Sequence, residues 1–273
     1  MRDGVVLRAA LGTSAVLGLL AAALVAAWQW GWRGGVAWDG GARHFNWHPL
    51  LMILGPVVLN GLAMVLYRIP WTLGSSKMLL KCVHAGLQTF SFLLVVLALV
   101  AVFDFHNVKN IPNMYSLHSW VGLTAVLLFS MQWALGLAIF LFPGSPASLR
   151  AFSKPIHAYL GLFIFIAFLA AALTGITEKL IFSLKPGNNT KAYSELPAEG
   201  MFVNTLGMLL LAFGGCVVYI VVRPEWQRPP ELAASELAGD VTVWPGGDNS
   251  SEQGTSKRLP FRIEEEGSQR CTL

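Results

Sequence analysis

The sequence predicts an all-α, polytopic membrane protein with six transmembrane helices, on three observations. Charged residues make up only 12 % of the 273 residues, about half the share usual in soluble domains. Mean hydropathy is +0.57. The charges are also confined to short stretches. The intervals Arg8 to Arg33, Arg43 to Arg68, Lys81 to Asp104, Lys109 to Arg150, Lys154 to Glu178 and Glu199 to Arg223 each enclose at least 22 residues without a formal charge. A helix needs about 20 residues to cross a hydrocarbon core of about 30 Å.

Each interval supplies one span. The first, roughly 9–30, has an apolar run longer than a signal-peptide core, so its "AAALVAA" reads as membrane helix and not as a cleavage site. The second, 47–67, opens on Trp47, His48 and Pro49; proline is tolerated in a first helical turn. The third, 82–103, lies between Lys81 and Asp104. The fourth interval is long, but Pro112 and the prolines at 143 and 146 trim it to one span, 116–141. The fifth and sixth are 155–177 and 201–222. Residues 1–226 thus form one six-helix domain. Residues 227–273, rich in Pro, Gly, Ser and Glu, are expected to be a disordered cytoplasmic tail.

Basic loop residues set the orientation. An even number of spans puts both termini on one side, which collects Arg2, Arg8, Arg68, Lys77, Lys81, Arg150, Lys154, Arg223 and Arg228. The other side holds Arg33, Arg43, Lys109, Lys179, Lys185 and Lys191, diluted by Asp39, Asp104, Glu178, Glu195 and Glu199. Both termini are therefore expected in the cytosol. The glycosylation sequon at 188–190 then falls on the outer face, and a second at 249–251 in the tail would stay unmodified.

Four of the six histidines sit just inside the four central spans. Alternating helix direction places His48 and His118 in the outer half and His84 and His157 in the inner half. Polar groups in a bilayer are costly and face a bundle interior with a partner. Two histidines at matched depth can supply both axial ligands of a haem iron, one haem per leaflet. Gly122 and Gly161, each four residues after its histidine, are expected on the same face, leaving room for a flat macrocycle. Proton-relaying histidines of a transporter are the rival reading, but transporters use helices broken at mid-membrane, and no span here is expected to be one.

These residues carry a family resemblance. "SLHSW" (116–120), "VLYR" (65–68), "FNWHP" (45–49), "SLRAF" (148–152), "PIH" (155–157) and "TEKLIFSL" (177–184) resemble the cytochrome b561 family of ascorbate-dependent transmembrane di-haem cytochromes. The match covers about 32–226 and is nearest the family's plasma-membrane ferric reductases. It implies two haem b groups, His48 with His118 outside and His84 with His157 inside, the pairs already reached from topology. Two histidines on one iron leave no open position, which suits electron transfer. The resemblance further implies ascorbate as cytosolic donor, a ferric or cupric complex as outer acceptor, and a homodimer. Its endomembrane alternative is monodehydroascorbate or ferric reduction in an endosome or lysosome.

Residues three and seven before an imidazole share its helix face. These are Lys81 and Lys77 for His84, and Lys154 and Arg150 for His157, with Pro155 leaving helical continuity open. Arg68 ends the second span on the same side. The cations form a funnel suited to an anion such as ascorbate, or merely the basic flank common to cytosolic ends. The resemblance favours Arg68, Lys77, Lys81 and Arg150 as ascorbate-binding. On the outer face, His106 with Asp104 and Glu195 or Glu199 offers a metal site, against an ordinary loop histidine. His44 reads as interfacial, and Trp38, Trp47 and Trp120 as interface anchors. Cys82, Cys216 and Cys271 are too few and too scattered for a disulfide framework.

Overall fold

The computed structural model describes residues 2–187 and 191–228; both sequons and the expected tail beyond Arg228 lie outside them. The described chain is a bundle of six long apolar helices: α1 Arg2–Gly31, α2 Ala42–Arg68, α3 Lys77–Val108, α4 Leu117–Leu141, α5 Ala147–Ser183 and α6 Ala198–Val222.

Caps explain where the helices start. Ser76 and Ser116 are the N-caps of α3 and α4; their hydroxyls accept from the amides of Leu79 at 3.1 Å and Ser119 at 3.3 Å. Both α3 and α5 run beyond the expected spans, to 32 and 37 residues. At about 1.5 Å per residue they are about 48 and 55 Å long and project past the hydrocarbon. Helical winding therefore continues through Lys77, Lys81 and His84. It also continues through Arg150, Pro155 and His157, which settles the open question at Pro155.

Pro56 explains the winding of α2. A proline in a helix interior removes one amide donor and crowds the preceding turn. Here the chain widens to π-helical winding over Ile53–Leu59, and the Asn60 side-chain amide donates to the Pro56 carbonyl at 3.2 Å. The helix is rewound, not broken. A second π segment, Leu137–Leu141, ends α4.

Packing divides the bundle into layers. α1 buries Leu7, Leu11, Ser14, Gly18, Ala21, Val25 and Trp28; α6 buries Val203, Leu206, Leu210, Phe213, Val217 and Ile220. Steps of three and four residues make both stripes coiled-coil seams. The α1–α6 pair closes on itself and against α2 and α5, while α4 with α5 and α2 with α3 form the other main contacts. Glycines permit close approach at two of these contacts: a Cβ on Gly61 of α2 would come within 2.8 Å of the Phe213 ring, and one on Gly214 of α6 would come closer still to Leu169 Cδ2. The helix pairs α2 with α4 and α3 with α5 are not among those packed backbone to backbone.

Candidate functional site

The four central histidines meet in couples. His84 of α3 and His157 of α5 have ring centroids 6.3 Å apart with planes at 67°. His48 of α2 and His118 of α4 are 6.1 Å apart at 86°. The sequence placed the partners on neighbouring helices; the structure places them on helices held apart. Two metal–imidazole bonds of about 2 Å each, plus about 1 Å from nitrogen to ring centre at either end, add to about 6 Å. Each couple therefore has the span that one metal ion between two imidazoles requires.

The other ring nitrogens are engaged. His84 Nδ1 donates to the Ala63 carbonyl at 3.0 Å, His48 Nδ1 to Ala98 at 3.1 Å and His118 Nδ1 to Ala171 at 2.8 Å. With the proton on Nδ1, the Nε2 lone pair is free for a metal, and the hydrogen bond raises its basicity. The antiparallel pair α2–α3 exchanges these bonds reciprocally, each helix giving the other one histidine and one carbonyl.

Glycines other than the two the sequence singled out lie against the imidazoles themselves. A Cβ on Gly122 would meet only the Ala171 methyl at 3.8 Å, and one on Gly161 would strike the Gln132 side-chain amide at 2.9 Å. The glycines that face imidazoles are Gly175, whose Cβ would fall 2.6 Å from His118 Cε1, and Gly136, 3.3 Å from His157 Cε1. On α4 His118 and Gly136 lie 18 residues apart, and on α5 His157 and Gly175 lie 18 apart. Eighteen residues make five turns, about 27 Å. The antiparallel helices thus set a histidine against a glycine at both ends. Tyr67 borders His84 at 5.6 Å, Phe140 borders His157 at 5.2 Å, and Phe45 borders His48 at 6.0 Å.

The sequence also missed a polar layer between the couples. Gln88 Nε2 donates to Asn60 Oδ1 at 2.9 Å, and Trp133 Nε1 to Thr89 Oγ1 at 3.0 Å, with Phe92 stacked on the indole at 4.7 Å. Partnering removes much of the cost of polar groups at this depth.

At the inner end, the expected cations have distinct surroundings. Lys77 and Arg150 are half-buried. Lys81 Nζ donates to the Phe140 carbonyl at 3.3 Å, which sets its charge beside His157's aromatic neighbour. Arg68 gives Nη1 to the Arg223 carbonyl at 2.8 Å and Nη2 to that of Val221. Its guanidinium closes the C-terminus of α6.

At the outer end the expected His106 cluster is not assembled. Among the described residues no group of three or more His, Cys, Asp or Glu gathers as a metal site. Glu199 is buried, accepts from Trp28 Nε1 at 2.7 Å and is paired with Arg33. Glu195 accepts from the Ala192 amide at 2.7 Å, and Asp104 lies 3.6 Å from His44. Local helix-capping holds Glu195, a buried ion pair holds Glu199, and Asp104 faces His44 instead of His106. His44 is buried within the protein: it is 1 % exposed, accepts from the Gly40 amide at 3.1 Å and packs on Trp38 at 4.3 Å. Trp38 and Trp120 are exposed as anchors should be, whereas Trp47 packs against the core. Lys179 was counted only as a loop charge; its ammonium lies 4.0 Å over the Phe45 ring. Ser116 donates to Glu178 at 3.1 Å. Partial burial and that carboxylate raise the Tyr115 phenol pKa above its ordinary value.

Comparison with known proteins identifies the family. The eukaryotic cytochrome b561 family model matches residues 47–183, which contain all four coupled histidines. The plasma membrane ascorbate-dependent reductase CYBRD1 of Xenopus laevis is 51 % identical over 232 residues, 85 % of this chain and 81 % of its own. The rat protein of that name is 48 % identical over 83 % of this chain and 78 % of its own. The lysosomal membrane ascorbate-dependent ferrireductase CYB561A3 of Danio rerio is 47 % identical over 78 % of this chain and 87 % of its own. With the family model and relatives of this identity covering most of the chain, the chain belongs to the eukaryotic cytochrome b561 family, whose cofactor is haem b.

Proposed function

We propose that this chain is a transmembrane ferric reductase that takes electrons from cytosolic ascorbate and delivers them to ferric or cupric complexes outside. The names of its relatives, ascorbate-dependent reductases and ferrireductases, support the donor and the reaction. The observation that carries the reading is the spacing of the two histidine couples, 6.3 Å and 6.1 Å. His84 with His157 holds an inner haem b, and His48 with His118 an outer one. Each haem supplies one-electron exchange between ferric and ferrous iron.

The chain does the rest. Carbonyls of Ala63, Ala98 and Ala171 hold three of the imidazoles in one tautomer and orientation. Lys77, Lys81 and Arg150, with Arg68 behind them, raise the local concentration of the ascorbate anion at the inner end. The apolar walls around both couples exclude water. Outward movement of an electron from a negative cytosol is favoured by about 2.3 kcal/mol per 100 mV.

The plasma membrane is the proposed location, after the relatives of higher identity. The identity to lysosomal ferrireductases keeps a second location, a lysosomal membrane with its lumen as the outer side. Surface biotinylation of the tagged chain separates the two. A homodimer belongs to the same proposal and is checked by light scattering in detergent. The deciding experiment is the visible spectrum of the purified chain, with haem per polypeptide counted, before and after ascorbate. Two haems, at least partly reduced by ascorbate, are expected. A folded chain without haem would return the histidines to the role of polar core residues.

A further inference from the structure

Two arginines at the inner end grip each other's segments. Arg68, last residue of α2, donates to the carbonyls of Val221 and Arg223 at the end of α6, groups a helix C-terminus leaves without an internal partner. Arg228, beyond the turn Pro224–Trp226, reaches back in the opposite sense. Its Nη1 donates to the Thr72 carbonyl at 2.8 Å, and its Nη2 to Leu73 at 2.9 Å and Ser75 at 2.7 Å. The path between is held by Trp226, edge-on to Tyr219 at 5.3 Å, with the Arg223 guanidinium over the Tyr219 ring at 4.8 Å.

The gripped carbonyls directly precede Ser76, the N-cap of α3. The first turns of that helix carry Lys77, Lys81 and His84 on one face. Tyr67, next to Arg68, borders His84 at 5.6 Å on the same side. A guanidinium suits this place because its planar fork of donors reaches several carbonyls at once; an ammonium is a single point charge.

We infer that Arg228 is a positioning residue for the cytosolic ascorbate site: its hold on the 72–75 loop sets how α3 presents Lys77 and Lys81 beside His84. The inference rests on the proposed role of those lysines. Its consequence is that the segment after α6, far from the site in sequence, governs the affinity for the electron donor.

The test compares full-length Arg228→Ala and Arg228→Lys with a Lys77→Ala/Lys81→Ala double variant, reading KM and kcat for ascorbate and the haem reducible by dithionite. Arg228→Ala is expected to raise KM by about three- to tenfold, the scale of a small misplacement of binding groups, with kcat and dithionite-reducible haem unchanged. Arg228→Lys should keep most of that rise. Four results overturn the inference. One is a wild-type KM in Arg228→Ala while the double variant is impaired. Another is full rescue by lysine, which would make charge alone sufficient. The third is loss of haem and kcat at constant KM, the mark of a merely structural residue. If the double variant also keeps a wild-type KM, the ascorbate site itself is misassigned and the inference falls with it.

Discussion

Replacing Gly175 by alanine should empty the outer haem site and leave the inner one loaded. A Cβ at this position would stand 2.6 Å from His118 Cε1 and 2.8 Å from its Nδ1. Ordinary carbon contacts are about 3.5–4.0 Å, so the imidazole must retreat by about 1 Å. The only soft partner in the contact is the ring itself, since the glycine belongs to the middle of a helix packed along its length on α4. Retreat stretches the 2.8 Å bond from His118 Nδ1 to the Ala171 carbonyl, worth about 1 kcal/mol, and overpacking adds about 1–3 kcal/mol. More telling is the couple's geometry. Metal–ligand distances tolerate about 0.2 Å, well below the required shift. Haem counted per polypeptide in the purified variant should fall from two to one, with helical content by circular dichroism unchanged. Gly122→Ala is the control, because its Cβ would meet the Ala171 methyl at an ordinary 3.8 Å. Two haems and an unaltered spectrum in Gly175→Ala would refute the assignment of His118 in its present orientation to the outer iron.

Three further outcomes follow from the same geometry. His84→Leu should remove the inner haem and abolish ascorbate-driven reduction, read as haem content and ferric-chelate reduction; unchanged activity would remove His84 from the ligand set. The Lys77→Ala/Lys81→Ala variant should need more ascorbate while reduction by dithionite is spared. Its KM should also rise less with ionic strength than that of the wild type, since screening weakens exposed charges; equal salt slopes would count against a cationic funnel. Glu199→Ala should destabilise the fold by about 3–5 kcal/mol, the cost of stranding a buried partner charge, because Arg33 and the Trp28 indole both depend on that carboxylate. Thermal unfolding in detergent measures it, and a melting temperature within a degree of wild type would show that water replaces the pair.

Much of the fold was legible because a bilayer imposes a simple rule. Long charge-free runs must be helices that span it, so the six spans and the depth order of His48, His84, His118 and His157 could be read from spacing alone. Proline reading was less complete. Pro155 is absorbed in a continuous α5, and Pro56 changes the winding of α2 without interrupting it; neighbouring turns and the Asn60 side chain decide such outcomes, not the proline itself. The carboxylates were the least legible. Glu199 looked like a candidate ligand in a loop but is buried beneath Trp28 and Arg33, which lie far from it in sequence.

The sequence by itself thus determined the class, the spans and which histidines share a depth, because all of these follow from one-dimensional spacing against a membrane of known thickness. Only the tertiary structure decided that the histidines of each couple face each other from different helices, at 6.3 Å and 6.1 Å. It alone showed that Gly136 and Gly175, and not Gly122 and Gly161, lie against the imidazoles, and that Arg228 holds the loop before Lys77. Helical periodicity says which residues share a face. It is silent on which other helix that face meets, and each of these features is a contact between helices.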